Sequence, residues 1–263
     1  MADWIKFMGT AGARFVVSKQ LRSSAGTWCN MQGQNILIDP GPGTLSRCFS
    51  VRPKLNPEHI DAIILTHRHL DHSTDINVMI EAMTRGTFEP RGALFVPSDA
   101  IEAGNEPVVF RHTRNSMERL ELLQIGKEFT IGPVRFTTPV LHRHPVETYG
   151  LVFDLPEGRV SFITDTAYFP ELIEHYRDSD ILIINVVFYE IPAVRQIQHL
   201  DLSGAKKLVQ GIRPRLMVMT HFGLNMLHHK PYLLAQQLAE ETGIPVKAAT
   251  DGMILVLDEI LNG

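Results

Sequence analysis

The sequence predicts an α/β protein of the αββα kind, a four-layer sandwich of two mixed sheets packed face to face and flanked by helices. Three observations predict it. Strand-like runs alternate with helix-like runs in both halves of the chain, the pattern of sheets covered by helices. No linker or low-complexity stretch divides the 263 residues, so they read as one domain, 1–263. A hydrophobic content of 44% beside 21% charged residues supplies a core large enough for a double sheet.

Taken in order, residues 6–9, 14–18 and 35–39 read as short strands in the first part of the chain. Asp39-Pro40-Gly41-Pro42-Gly43 is a sharp turn, since Pro and Gly interrupt both helix and ladder, and 44–51 fits a short helix. Residues 60–66 form a buried strand running into His67. Residues 74–84 have helical spacing with an Ile76/Met79/Ile80/Met83 face. Strands follow at 93–96, 120–123, 129–131 and 134–138; between the first two, 97–118 is loop or mixed structure carrying Arg111, His112 and Arg114, with Arg119 just beyond. That basic cluster reads first as a solvated face, with phosphate binding as its functional alternative. The second half repeats the grammar, with strands at 148–154, 160–164, 181–185, 216–220, 246–249 and 254–257 and helices at 169–176, 203–210 and 231–242.

The formal charge is −4, which gives no global reason for a large nucleic-acid partner. Cys29 and Cys48 form neither a CxxC pair nor a disulfide framework, and the N-terminus lacks the basic and apolar regions of a signal peptide. A reducing cytoplasm is the expected location. The longest apolar run, 181–189, is interrupted by Asn185 and is far too short for a bilayer, so no membrane partner is expected. The apolar residues of 222–234 suit either the core or a second copy, which keeps a homodimer open.

The chemistry is concentrated in Thr66-His67-Arg68-His69-Leu70-Asp71-His72, at the end of a hydrophobic strand. In an extended segment His67 and His69 point the same way and can share one metal ion. The turn that follows can bring Asp71 and His72 to a second ion. Imidazole and carboxylate without Cys suit Zn2+ first, with Mn2+ and Fe2+ as alternatives. A His-rich surface turn has no reason to adopt this spacing together with an Asp.

The string HRHLDH resembles the HxHxDH signature of the metallo-β-lactamase superfamily, and the resemblance runs over most of the chain. Leu37-Ile38-Asp39-Pro40-Gly41 resembles the turn whose Asp supports the metal ligands. The segment from His144 to Gly150 resembles the third His of the ribonuclease Z-like branch; Thr164-Asp165-Thr166 resembles the bridging Asp; Thr220-His221-Phe222 resembles the last His. The resemblance therefore implies His67, His69 and His144 on one ion, Asp71, His72 and His221 on the other, and Asp165 between them. His142 lies two residues from His144 and both could face the ion; the interval to Gly150 favours His144.

Two such ions lower the pKa of a shared water, which then attacks as hydroxide near neutral pH. The leaving group still needs a proton donor. His199, in Gln198-His199-Leu200-Asp201, resembles in its interval to His221 the phosphate-facing His of ribonuclease Z and of the cyclic ribose phosphodiesterases. His199, Asp71 and Asp165 are thus the expected catalytic residues. The branch points to a phosphodiester. Ribonuclease Z inserts a long transfer-RNA arm between its third His and bridging Asp, and the short interval from His144 to Asp165 leaves no room for one. The expected substrate is a small or cyclic phosphodiester. Alternatives are a carboxylic ester, lactone or thioester on the same site, and a non-catalytic metal-binding scaffold or carrier.

Overall fold

The structure is a computed structural model and describes residues 2–102, 106–191 and 197–263. The first six strands are β1 (Trp4–Phe7), β2 (Thr27–Met31), β3 (Gln34–Ile38), β4 (Ala62–Ile64), β5 (Ala93–Val96) and β6 (Arg119–Leu122). The next seven are β7 (Glu128–Ile131), β8 (Val134–Thr137), β9 (Leu151–Leu155), β10 (Gly158–Ile163), β11 (Ile181–Asn185), β12 (Leu216–Thr220) and β13 (Val246–Ala248); β14 (Ile254–Val256) closes the series. One seven-stranded sheet has the order β14-β1-β2-β3-β4-β5-β6, and the other β13-β12-β11-β10-β9-β8-β7. Both sheets are mixed. Pairing is antiparallel from β14 to β3 and parallel from β3 to β6. It is antiparallel from β7 to β10 and parallel from β10 to β13.

The burial patterns follow from this pairing. Central parallel strands are covered on both faces and become continuous apolar runs, as in β4 and β12, where every residue is buried. The β7–β8 hairpin lies at a sheet edge with one wet face, and its residues alternate exposed and buried.

The helices are α1 (Ala13–Ser18), α2 (Thr44–Ser50), α3 (Leu70–Ser73), α4 (Ile76–Met83), α5 (Arg111–Arg114), α6 (Glu171–His175), α7 (Leu202–Ile212), α8 (Leu224–His228), α9 (Pro231–Thr242) and α10 (Asp258–Leu261). Between the sheets lies one apolar layer in which Phe95 of β5 meets Phe129 and Phe136 of the other sheet, at ring separations of 5.6 and 5.1 Å. A second layer packs α6, α7 and α9 on the outer face of β10–β12. A third packs α2 and α4 on β3–β5, through the Ile76/Met79/Ile80/Met83 face read from the sequence. This is the αββα sandwich the sequence predicts.

Local differences have physical reasons. Residues 14–18 were expected as a strand and instead form the helix α1. Only Val16 on it is buried while Phe15 is exposed, so a single turn fixes one apolar anchor where a strand would have needed a partner. β2, α8 and α10 have no counterpart in the sequence reading. Of 97–118, residues 103–105 lie outside the described residues; the rest holds a short 3-10 turn, loop and α5, which packs on α4. The expected helix at 203–210 runs from Leu202 to Ile212, and Asp201 caps it by accepting from the Gly204 N–H at 2.8 Å. No helix among the described residues is long and apolar enough to cross a membrane.

Candidate metal centre

In both sheets the parallel strands end on the same rim of the sandwich, and ligand sites of open α/β sheets form at such carboxyl ends. Asp39 follows β3, Thr66 and His67 follow β4, Asp165 follows β10 and His221 follows β12. The segment 142–148 supplies His144 from irregular backbone ahead of β9.

Seven residues come together there. Donor atoms of His67, His69 and His144 all lie within 4.8 Å of one another, and so do those of Asp71, His72 and His221. His69 Nδ1 is 3.0 Å from His144 Nε2. His72 Nε2 is 3.3 Å from His221 Nε2, which is 3.5 Å from Asp71 Oδ2. Asp165 stands between the two sets: its Oδ2 is 3.8 Å from His67 Nε2 and 3.6 Å from His72 Nε2, and its Oδ1 is 3.4 Å from His221 Nε2.

The residues fit two cations on the chemistry of their donors. A tetrahedral ion with bonds of about 2.1 Å needs donors about 3.4 Å apart; the second set has separations of 3.3, 3.5 and 3.9 Å, and in the first set His69 and His144 are 3.0 Å apart. Neighbouring groups also fix which nitrogen carries the proton. His144 Nδ1 donates to the Gln198 carbonyl at 2.9 Å, leaving the Nε2 lone pair facing His69. His72 Nδ1 donates to Asp39 Oδ2 at 2.8 Å, which frees its Nε2. Thr66 Oγ1 gives its proton to Asp39 Oδ2 at 2.7 Å and so accepts from His67 Nδ1 at 3.1 Å. His67 Nε2 is then left buried without a hydrogen-bond partner among the described residues, aimed into the centre. Such orphaned buried nitrogens are rare unless something else satisfies them.

Asp39 anchors this arrangement. It sits at φ +51°, a left-handed conformation, with Oδ1 accepting from the Thr66 N–H at 2.7 Å. We expect Asp39→Ala to weaken cation binding by roughly 10- to 100-fold, because His72 and Thr66 lose their orienting acceptor. Titration against a competing chelator measures it; unchanged affinity would remove Asp39 from that role.

Burial, reinforced by the nearby His72, holds His67 well below the ordinary histidine range. Burial and His144 push His69 down to about 4. Burial opposes a charged His72, but Asp39 and Asp71 outweigh it and raise that imidazole well above its usual value. Asp165 is pulled well below the carboxylate range by His221 and His199, against its own burial.

Of the two histidines left open by the sequence, the structure places His144 with His67 and His69. His142 is buried behind it, its ring nitrogens 2.8 Å from Tyr176 Oη and 3.2 Å from Thr164 Oγ1, and burial pushes it down to about 3. His199 lies outside both sets but beside them. Its Nδ1 is 3.5 Å from Asp165 Oδ2, buried and without a hydrogen-bond partner among the described residues, and its ring is 5.0 Å from that of His144. Asp201 caps α7, so its accounted-for contact is with Gly204. The basic cluster is absent from the groups at the centre: Arg114 donates to the Ile101 carbonyl, and Arg119 lies over the Phe95 ring.

Sequence reasoning missed the close backbone approaches. A Cβ on Gly41 would fall 2.0 Å from the Asp71 carbonyl oxygen, and one on Gly12 would fall 2.1 Å from that of His221. Residues 10–12 pair with Phe222 through the bonds Phe222 N–H to Thr10 O and Gly12 N–H to Phe222 O, holding His221 at φ +59°. It also missed Asn185, whose amide touches Asp165; the one signal was a polar residue interrupting an apolar run.

Residues 34–222, well over half of the chain, match the family described as the β-lactamase superfamily domain. The chain belongs to the β-lactamase superfamily. Its double sheet is the metallo-β-lactamase fold of that superfamily's solved members. An uncharacterized protein, MJ1374 of Methanocaldococcus jannaschii, is 28% identical over 98% of this chain and 96% of its own length. The probable metallo-hydrolase YhfI of Bacillus subtilis is 28% identical over 71% of this chain and 75% of its own. A crystal structure of YhfI superposes with a TM-score of 0.78, covering 97% of this chain and 99% of that one at 21% identity. A diphosphatase of the PhnP family superposes with a TM-score of 0.67, covering 97% of each chain at 20% identity.

Proposed function

We propose that this chain is a metal-dependent hydrolase acting on a small or cyclic phosphodiester. The observation that carries the reading is the shared carboxylate of Asp165 standing between two complete donor sets, with His199 beside it. His67, His69 and His144 would hold one divalent cation, Asp71, His72 and His221 the second, and Asp165 would serve both. Zn2+ suits these donors first, and Mn2+ or Fe2+ also; bound there, the pair supplies positive charge and a water acidified toward neutrality. His144 and His72 are held by Gln198 and Asp39 with their free nitrogens inward, so the chain spends no reorganisation to present them. His199 gives a proton from its site-facing nitrogen to the leaving oxygen. Burial first, opposed by Asp165 and reinforced by His144, lowers its pKa, so the protonated form is the stronger acid but the smaller population near neutrality.

The substrate is small. Between His144 and Asp165 the chain forms only the β9–β10 hairpin, with no arm to grip a folded nucleic acid. A phosphorus electrophile also agrees with the diphosphatase of similar fold. A carboxylic ester, lactone or thioester is the second reading, and one observation favours it. The arginines inside the two His-rich segments are engaged elsewhere: Arg68 donates to Asp99 at 3.1 Å, and Arg143 lies over the Phe169 ring at 4.3 Å.

The test is hydrolysis of bis(p-nitrophenyl) phosphate beside a lactone and thioester panel, after loading with Zn2+ or Mn2+. Phosphodiester turnover is the expected result. Ester or lactone turnover alone would replace it with the second reading, and two bound cations without turnover on any of them would leave a scaffold. On the phosphodiester, His199→Ala is expected to lower kcat by about 10²-fold with little change in bound metal. If the variant instead loses a cation, His199 is a ligand rather than the acid.

A further inference from the structure

Asn185 is the last residue of β11, in register with Thr220 of β12. Strand alternation puts it on the same face as Ile181 and Ile183, which lie in the apolar layer between the sheets. A polar amide at the end of such a row loses hydration, a cost that is offset only by a hydrogen bond. Here the bond goes to the centre: Asn185 Nδ2 donates to Asp165 Oδ1 at 2.8 Å. Asn185 also lines a cavity of about 60 Å3 together with Asp39, Asp71, His72 and His221.

The two oxygens of Asp165 consequently have unlike surroundings. Oδ1 holds the Asn185 amide and faces one member of one donor set, His221, at 3.4 Å. Oδ2 holds no amide and faces members of both sets, His67 at 3.8 Å and His72 at 3.6 Å, with His199 Nδ1 at 3.5 Å on the same oxygen. We infer that Asn185 is a positioning residue that fixes the Asp165 carboxylate so that Oδ2 alone is presented to both cation sites. This rests on the two-cation reading above and adds to it which oxygen is shared and what determines the choice. Without the amide, only the surrounding imidazoles oppose rotation of the carboxylate about its last bond, and each oxygen could serve one ion separately.

The experiment compares wild type, Asn185→Leu and Asn185→Asp, loaded with Mn2+. Leu keeps the volume without a donor; Asp keeps the shape but sets a second carboxylate against Asp165. Circular dichroism and thermal melts report folding. Metal analysis with chelator competition reports both cations, and electron paramagnetic resonance reports the magnetic coupling between them. Both variants are expected to fold, to bind the second Mn2+ at least ~10-fold more weakly, and to show altered coupling in whatever pairs form. A residue that merely fills space would leave the coupling spectrum unchanged. Wild type that binds two coupled ions, beside variants with the same affinity and spectrum, overturns the inference alone. Wild type that binds fewer than two overturns the two-cation reading and the inference with it.

Discussion

Asp165→Ala is expected to lower cation-dependent hydrolysis by at least ~10³-fold, beyond the 10- to 100-fold cost of losing a residue that only orients a ligand. The oxygens of Asp165 approach the Nε2 atoms of members of both donor sets, and Oδ2 also faces His199. On the proposed two-cation reading, its removal would subtract a ligand from both sites at once. It also leaves several buried imidazoles without the negative charge that offsets their crowding. Asp165→Asn keeps one carbonyl oxygen and should lose less. Steady-state rates with metal analysis on the same samples make the comparison. A variant within about tenfold of wild type would take Asp165 out of the reacting centre.

The second large effect is structural. Gly41→Ala is expected to destabilise the fold by about 3 kcal/mol, the upper part of the usual cost of overpacking. The new Cβ would meet the Asp71 carbonyl oxygen at 2.0 Å and the Ser24 carbonyl oxygen at 2.3 Å. Both obstacles are backbone, so neither can rotate away, and relief requires moving the turn after β3 or the start of α3. For a chain of this size the melting temperature should fall by about 6–12 °C. Cation affinity should fall too, because Asp71 and His72 ride on α3. An unchanged melting curve would mean that the loops yield at no cost and that Gly41 is not what seats them.

The double sheet was legible because its strands carry two distinct patterns, continuous apolar runs in the parallel part and alternation at the β7–β8 edge. Most residues of the centre could be picked out because HRHLDH, Asp165 and His221 follow strands, while His144 was read from its interval to Gly150. What misled was local. Residues 14–18 contain a β-branched pair, Val16-Val17, that suits a strand, but the chain there has no neighbour to pair with and closes a helical turn. The choice between His142 and His144 could not be made from a period of two, because 143–146 are bends rather than a strand. Tyr176 and Thr164 decide it by holding His142 behind the centre. The glycines that admit Asp71 and His221 were invisible because the need for them arises from backbones distant in sequence.

The centre straddles the seam between the sheets. His67, His69, Asp71 and His72 hang from one sheet, while Asp165 and His221 hang from the other and His144 leads into it. The aromatic layer of Phe95, Phe129, Phe136 and Phe153 therefore acts as a ruler as well as a filling. Its thickness sets how far apart the two halves of each donor set stand. Repacking it with smaller side chains would change the gauge of the centre without touching any residue in it.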